Sequence, residues 1–159
     1  DLLIAQYEDL RVQRLNMMKE LRALSKTERF AEPLRLLMTV PGIGQVSGLT
    51  ILSEIDDIAR FKDASHLASY VGIVPMCYSS GEHDGTGNLT VRRHAQLRWL
   101  IVESAWIAVR KDPVLSAAYV EYCRKMKPSK AIIKIARRII NRIYFVMKHQ
   151  HPYVNCFVS

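Results

Sequence analysis

The chain has 159 residues, enough for one medium domain or for a small domain with an appended arm. Because 49% of the residues are hydrophobic and only 7 are glycine and 6 proline, a disordered tail is excluded. The formal net charge of +8 favours a polyanionic partner. No apolar run approaches the length of a membrane span and no signal-peptide pattern occurs, so we expect no membrane partner. The 3 cysteines are widely spaced, as a reducing cytosol allows, so we expect a cytoplasmic protein.

The excess positive charge is confined to the C-terminal half of the chain. Residues 91–159 hold fourteen basic and three acidic side chains, whereas residues 1–32 hold six of each. Residues 65–90 contain neither lysine nor arginine. A run of charge is usually a solvated surface, but this asymmetry favours a nucleic-acid-binding surface in the C-terminal half.

The first thirty residues carry a seam of apolar side chains at alternating steps of four and three. Its members are Leu3, Tyr7, Leu10, Arg14, Met17, Leu21 and Leu24, of which one is polar. This heptad spacing predicts one long amphipathic helix over residues 2–31. A narrow seam suits a coiled coil with a second chain, and a helix that packs back on its own domain is an equally good interpretation. The chain opens on Asp1 rather than methionine, so we expect a piece of a longer protein.

Turn residues divide the middle of the chain into short elements. Pro33 can start a short helix over residues 34–39, because its ring fits the first helical turn. The Pro-Gly-Ile-Gly sequence that follows ends that helix. Apolar spacing and turn residues then predict helices over residues 45–55 and 64–70, an extended or irregular segment over 73–80 and a glycine-rich loop over 81–88.

Three longer helices are predicted after the loop, over residues 92–110, 113–125 and 129–148. The fold class is therefore mostly α, with a long N-terminal helical arm followed by a helical domain that contains a helix-hairpin-helix. We expect a coiled-coil or helical arm over residues 1–32, a domain over 33–150 with the helix-hairpin-helix at about 34–55, and a tail over 151–159.

The turn between the second and third predicted helices is the sharpest short motif. Two short helices joined by a hydrophobic-Gly-x-Gly turn are typical of a helix-hairpin-helix. In such a turn the glycines let the backbone approach a phosphate, and N–H groups at the start of the second helix bind it. We expect Gly42, Ile43 and Gly44 to contact a DNA backbone without reading its sequence. An ordinary tight turn between helices is the alternative interpretation.

Basic side chains repeat at four-residue steps along the last predicted helix. They are Lys130, Lys134, Arg138 and Arg142, with Arg137 beside them. This spacing places a basic stripe opposite an apolar side, and each member would add salt-sensitive phosphate affinity. A second basic group stands at the start of an earlier helix and consists of Arg92, Arg93 and Arg98. Ordinary surface charge is the alternative interpretation for each of these three.

No metal site is predicted in the chain. Asp56 and Asp57 follow a helix and are expected to face solvent, and no carboxylate pair has an arrangement typical of Mg²⁺ binding. Trp99 and Trp106 stand seven residues apart on one predicted helix, and we expect both in the core rather than stacked on bases.

Several segments, in chain order, carry a family pattern. They are residues 37–44 (Leu-Met-Thr-Val-Pro-Gly-Ile-Gly), 61–65 (Phe-Lys-Asp-Ala-Ser), 67–75 (Leu-Ala-Ser-Tyr-Val-Gly-Ile-Val-Pro), Ser80-Gly81, Gly87 and Leu97-Arg98. From about residue 34 to residue 148 the chain thereby resembles the C-terminal transposase domain of the insertion-sequence one-ten family. One departure is Val91-Arg92-Arg93, where the family often has Lys-x-Gly before its Leu-Arg pair.

The resemblance implies an enzyme whose chemistry is divided between domains. Members are bacterial DNA transposases or recombinases with an N-terminal RuvC-like domain, absent from this sequence, in which four acidic residues bind Mg²⁺. A coiled coil links that domain to the one seen here; residues 1–32 fit this role and imply a homo-oligomer. The serine nucleophile of the family corresponds to Ser80, with Ser79 as the neighbouring alternative. DNA is the implied partner, guidance by an element-encoded RNA is a further family trait, and this chain alone is expected to be inactive.

A non-catalytic module is the rival interpretation. A helix-hairpin-helix domain with a basic C-terminal helix would bind DNA without chemistry, as in repair or junction-binding proteins. The two interpretations agree on the basic surface and differ on the role of Ser80.

Overall fold

A computed structural model describes residues 1–80, 83–89 and 94–154, with the backbone alone for the strand residues 75–80 and 83–89. Within these ranges the fold is mostly α, as predicted. The elements are α1 (Leu2–Leu24), α2 (Glu28–Leu37), α3 (Gln45–Ile55), a 3-10 turn (Ile58–Arg60), α4 (Ala64–Val71), β1 (Pro75–Ser80), β2 (His83–Leu89), α5 (Ala95–Lys111), α6 (Pro113–Lys125) and α7 (Pro128–His149). None of the described helices is both long and apolar enough to span a bilayer.

Helix α7 lies at the centre of the core. Its apolar side chains recur every three or four residues, so one side of the helix is continuously hydrophobic. Its buried residues are Ala131, Ile132, Ile135, Ala136, Ile139, Ile140, Ile143, Val146 and Met147. This side packs against α2, α4, α5 and α6, and each fully buried isoleucine contributes about 1.5–3 kcal/mol of hydrophobic free energy. The opposite side of α7 is left to solvent.

Helix α1 buries none of its residues. The seam side chains Leu3, Tyr7 and Leu10 are exposed, and contact with the core begins only near the end of the helix, at Leu21. The predicted helix over residues 2–31 is confirmed as far as Leu24 and is wrong beyond it. We refer to α1 as the arm and to α2 through α7 as the body.

The chain bends between α1 and α2. Ser25 and Thr27 donate their side-chain hydroxyls to carbonyls three residues earlier (2.9 and 2.7 Å), and these bonds compete with the helical pattern. Helix α2 then begins at Glu28, five residues before Pro33. The prediction that Pro33 starts a helix over residues 34–39 is therefore wrong. Burial of the leucines that follow Pro33 keeps α2 continuous through the proline, because tertiary packing outweighs the local preference.

A two-stranded antiparallel hairpin lies between α4 and α5 in the sequence. Strand β1 pairs with β2, and Ser80 stands opposite His83. The predicted extended segment is confirmed, but the loop predicted over residues 81–88 is wrong from residue 83 onward, where β2 begins. The glycines of this segment favour a turn, whereas an antiparallel pair is held by backbone hydrogen bonds that glycine also forms.

Local signals fix the ends of several helices. Helices α3 and α6 have the predicted bounds, and Asp112 caps α6 by accepting from two backbone N–H groups just after Pro113 (2.9 and 3.2 Å). Helix α5 begins at Ala95 rather than at residue 92. His94 is its N-cap, and Nδ1 of His94 accepts from the backbone N–H of Leu97 (3.4 Å).

Candidate nucleic-acid interface

Three basic side chains of α7 form a row on its solvent side, which we call the α7 row. Lys130, Lys134 and Arg138 are exposed and stand one helical turn apart. Each four-residue step advances the row by about 6 Å along the helix axis. In the part of the chain that the structure describes, no carboxylate forms a salt bridge with these groups. The row therefore keeps its positive charge for an external anion.

Tyr122 of α6 lies beside two members of the row. Its half-buried ring packs against the core, and the ring centroid lies 5.2 Å from Lys134 Nζ and 5.4 Å from Arg138 Cζ. Both contacts are cation–π interactions, which orient a cation without cancelling its charge. The local sequence pattern does not identify Tyr122, because its place beside the row depends on how α6 packs on α7.

Arg142, the fourth member of the predicted stripe, has a structural partner instead. Its Nη1 donates to Oδ2 of Asp112 at 2.8 Å, and the two side chains are 14% and 0% exposed. The guanidinium also lies 4.3 Å from the ring centroid of Tyr153. Since Asp112 caps α6, this ion pair fixes the start of α6 against α7. The stripe is one residue shorter than predicted, because the charge of Arg142 is neutralised inside the protein.

Arg137 connects α7 to α4. Its Nη2 donates to Oγ of Ser65 at 2.8 Å, in the first turn of a helix that is capped by Asp63. The side chain of Asp63 accepts from the backbone N–H groups of Ser65 and His66 and lies 2.9 Å from Nδ1 of His66. These contacts, the His66 side chain first among them, lower the pKa of Asp63 to about 2. Arg137 therefore lies next to an acidic cap and outside the α7 row.

The turn between α2 and α3 places its three predicted contact residues in different surroundings. Ile43 is buried in the core. Gly42 has a φ of +90°, and a Cβ there would overlap the carbonyl oxygen of Ser104 in α5. Gly44 is exposed and precedes α3, with its N–H donating to Oγ of Ser47 at 2.8 Å. Close packing on α5 accounts for Gly42, and Gly44 is the member of the turn that faces solvent.

The candidate serine and the second basic group lie around the hairpin. Ser80 is the last residue of β1, with its backbone opposite that of His83. Arg98 is half-buried in the first turn of α5, whereas Arg92 and Arg93 lie outside the described residues. The roles expected for Ser80 and for these three arginines therefore stay predictions.

Comparison with known proteins relates much of the chain to one family. The family model described as "Transposase IS116/IS110/IS902 family" matches residues 34–120, more than half of the chain. The chain belongs to this family. The matched residues run from within α2 to within α6 and include the turn at Gly42 and the β1–β2 hairpin, whereas α1 and α7 lie outside them.

Curated relatives of this IS110-family chain come from several bacteria. Over 134 residues it is 29% identical to a 44.8 kDa protein of insertion element IS116 from Streptomyces clavuligerus, an alignment that covers 82% of this chain and 32% of that protein. Over 92 residues it is 27% identical to the transposase for insertion sequence element IS1111A from Coxiella burnetii (58% and 24%). Over 121 residues it is 29% identical to the pilin gene-inverting protein of Moraxella bovis (74% and 38%). The chain spans about a third of the length of the curated relatives that it matches.

Trp99 of this IS110-family chain is a surface residue, with 63% of its area exposed. The expectation that both tryptophans lie in the core is wrong, since Trp106 is also exposed, at 36%. Trp106 is partly covered by an edge-to-face contact with Tyr119, at 5.6 Å between ring centroids. Leu97 and Ile101 face the core, and Trp99, midway between them along α5, points the other way. The helical period could have shown this, since Trp99 lies outside the packing face.

The described residues bring together no group of three or more histidine, cysteine, aspartate or glutamate side chains that could hold a metal ion. Asp56 and Asp57 are exposed, as predicted. Asp56 forms a salt bridge with Arg29 (2.7 Å), and Asp57 caps the 3-10 turn by accepting from the backbone N–H of Ala59 (2.8 Å). Both carboxylates therefore have structural partners.

Proposed function

We propose that the chain is the DNA-binding C-terminal domain of an IS110-family transposase and that the α7 row binds the DNA backbone. The observation that carries this proposal is the row itself: three exposed cations without carboxylate partners in the described residues, on the central helix of the core. Contacts between such cations and phosphates position a protein on DNA without reading its sequence. They also release condensed counterions, so affinity falls steeply as salt rises.

The test replaces Lys130, Lys134 and Arg138 together by glutamine. Binding to a mixed-sequence DNA duplex is then measured by fluorescence anisotropy over a series of salt concentrations. Each lost phosphate contact lowers the slope of log K against log salt by about 0.9, so we expect the slope to fall by about 2–3.

The matched control is a glutamine variant of Arg11, Lys19 and Arg22, which removes the same charge from exposed positions of the arm outside the seam. We expect its salt slope to stay close to that of the unmodified chain. If the salt slope fell equally in the two variants, binding would depend only on the net charge of the chain, and the assignment of the α7 row would be contradicted.

We also propose that Ser80 is the nucleophile for DNA cleavage and joining. Support comes from its correspondence with the family motif and from its position within the matched residues. In the proposed step, Oγ of Ser80 forms a bond to a DNA phosphorus, and a bond from that phosphorus to a deoxyribose oxygen breaks. The serine loses its proton, and the leaving sugar oxygen takes one up.

Mg²⁺ is expected on the RuvC-like domain of the longer protein, where it would stabilise negative charge on the phosphate. The described residues of this chain do not form a site for it. On this proposal the chain alone does not cleave DNA.

The serine is tested in a full-length protein that carries Ser80→Ala or the neighbouring control Ser79→Ala. A covalent adduct between the protein and end-labelled DNA is sought on a denaturing gel. We expect Ser80→Ala to abolish the adduct and Ser79→Ala to retain it. An adduct formed at the normal rate by the Ser80→Ala protein would contradict the assignment, and its absence from the unmodified protein would favour the non-catalytic module.

We propose further that the arm pairs with the arm of a second copy of the chain. On this proposal residues 1–32 connect the protomers, residues 33–150 form the DNA-binding domain, and residues 151–159 form a tail. The exposed seam supports this proposal, because soluble proteins avoid long exposed apolar strips. The mass in solution tests it by light scattering. We expect an oligomer that Leu10→Glu disrupts and the off-seam control Gln13→Glu preserves; a strictly monomeric unmodified chain would contradict pairing.

An element-encoded RNA is the second nucleic-acid partner that we propose, on the family resemblance. Its phosphates would bind the α7 row as those of DNA do. We expect RNA to co-purify with the chain and to be lost from the glutamine variant of the row. Co-purification that the row variant leaves unchanged would contradict RNA binding at this surface.

A further inference from the structure

The contact between α6 and α7 brings two like charges to one aromatic ring. Lys134 and Arg138 stand four residues apart on α7, a spacing at which like charges repel and destabilise a helix. The ring of Tyr122 lies within 5.4 Å of both cationic groups. The negative face of an aromatic ring attracts cations, so Tyr122 offsets the repulsion and orients both side chains.

Tyr122 does this without a carboxylate. Glu121 is the acidic residue of α6, and it pairs with Lys125 at 3.2 Å rather than with α7. The next position along the stripe shows the alternative arrangement, since the charge of Arg142 is neutralised by Asp112. A ring accepts no salt bridge, so Lys134 and Arg138 are held in place with their N–H donors and their net charge still available.

Resting on the proposed nucleic-acid binding of the α7 row, we infer that Tyr122 is a positioning residue that presents Lys134 and Arg138 as a preorganised pair to adjacent phosphates of one strand. Long basic side chains lose rotamer freedom when they bind, and restricting them beforehand reduces that loss. The pair and Lys130 together advance by about 6 Å per four-residue step along α7, which suits a strand backbone that runs along the helix. Tyr122 itself contacts no phosphate in this arrangement.

The experiment compares Tyr122→Phe, which keeps the ring, with Tyr122→Leu, which keeps an apolar side chain and removes the ring. Binding of each variant to the mixed-sequence duplex is measured by anisotropy, and thermal unfolding is recorded alongside. One exposed cation–π contact corresponds to about a two- to fivefold change in affinity. We expect Tyr122→Phe to bind as the unmodified chain does and Tyr122→Leu to bind roughly four- to 25-fold more weakly, through the loss of two contacts.

A double-mutant cycle separates positioning from direct contact. In a background that carries Lys134→Gln and Arg138→Gln, we expect Tyr122→Leu to have no further effect on binding. A further loss in that background would show that the ring contacts the nucleic acid itself and would overturn the inference. Unchanged binding by Tyr122→Leu would also overturn the inference about Tyr122. The proposed function would still hold in that case if the glutamine variant of the α7 row bound DNA more weakly. If the glutamine variant of the α7 row bound DNA as tightly as the unmodified chain, the proposed function of the row would be contradicted.

A second series keeps the inference testable if Tyr122→Leu does not fold. Phenylalanine and its ring-fluorinated derivatives are placed at position 122, because fluorine weakens the negative face of the ring and hardly changes its size. We expect affinity for the duplex to fall stepwise with the number of fluorines while the unfolding temperature stays constant. Affinity independent of fluorination would overturn the inference.

Discussion

The arm and the central helix of the body have nearly the same length and opposite surroundings. Helix α1 has 23 residues, of which none is buried, whereas α7 has 22 residues, of which nine are buried. Leu10 of the arm is 63% exposed, and Ile139 of α7 is 0% exposed. The apolar positions of α1 follow a narrow heptad seam, while those of α7 cover a wide side that five isoleucines and four other residues fill. Periodicity therefore distinguishes a helix with a narrow, exposed seam from one that organises the core of its own chain.

Stability should follow the same division. The body has a continuous core, whereas the arm in this chain is supported by its own backbone hydrogen bonds and little else. Substitutions in the body are expected to lower its free energy of unfolding, and substitutions in the arm are expected to change association instead.

The largest loss of folding stability is expected from the substitution Asp112→Ala. This change leaves Arg142 partly buried without its counter-ion and removes the N-cap of α6. Breaking a buried ion pair from one side costs about 3–5 kcal/mol. We expect the free energy of unfolding, measured with urea, to fall by about that amount.

Asp9→Ala in the arm is the control, since Asp9 is an exposed carboxylate that accepts a hydrogen bond from Gln13 (2.8 Å). It should leave the unfolding of the body unchanged. A similar loss from both variants would break the distinction between arm and body.

The next largest loss of folding stability is expected from Ile139→Ala, because this truncation leaves a cavity in the core beside the buried side of α7. Such truncations cost about 2–5 kcal/mol. Leu10→Ala removes a side chain of similar size from the arm and should leave the urea midpoint of the body unchanged. It should also shift the oligomer toward monomer in sedimentation at low protein concentration. An equal fall in the midpoint for Leu10→Ala would show that the arm packs on its own body.

Gly42→Ala and Gly44→Ala sharpen the comparison within the body. A Cβ at Gly42 would meet the backbone of Ser104, and its φ of +90° is strained for alanine, so we expect a loss on the order of 1–3 kcal/mol. At Gly44 the nearest atom to a new Cβ is 3.9 Å away and φ is −109°, so Gly44→Ala should cost little. Thermal unfolding measures both. Equal unfolding temperatures for the two variants would contradict a packing role for Gly42.

Local signals account for the parts of the fold that the sequence predicts well. Asp112 followed by Pro113 marks the start of α6, and the glycines before Gln45 mark the start of α3. The end of the arm and strand β2 were not predicted, because the hydroxyls of the bend, the burial of α2 and the pairing of β1 with β2 decide them. Distant contacts of this kind leave little trace in a local pattern.

The candidate site divides in the same way. Lys134, Arg138 and Arg142 occupy equivalent positions in the four-residue repeat, but Arg142 faces Asp112, thirty residues earlier in the chain. Tyr122 reaches the row through the packing of α6 on α7, and Gly42 is required by the backbone of α5. The sequence therefore predicts that α7 is basic on one side, and tertiary contacts decide which of its cations remain available.

The smallest effect on folding stability is expected from the titration of Asp63 as the pH is lowered. The pKa of Asp63 is lowered in the folded chain from 3.8 to about 2, mainly by the side chain of His66 and then by the backbone N–H groups that Asp63 caps. A folded-state pKa below the unfolded value means that Asp63 contributes stability above about pH 4, and this contribution is lost as pH falls toward 2. We expect the urea midpoint of the body to fall over that window and to fall less in Asp63→Asn, which cannot titrate. The control Asp9→Asn, in the arm, should retain the full acid dependence of the body. Because Asp63 is exposed, the difference between the two variants should be small, and an identical acid dependence in both would show that the contact with His66 does not stabilise the body.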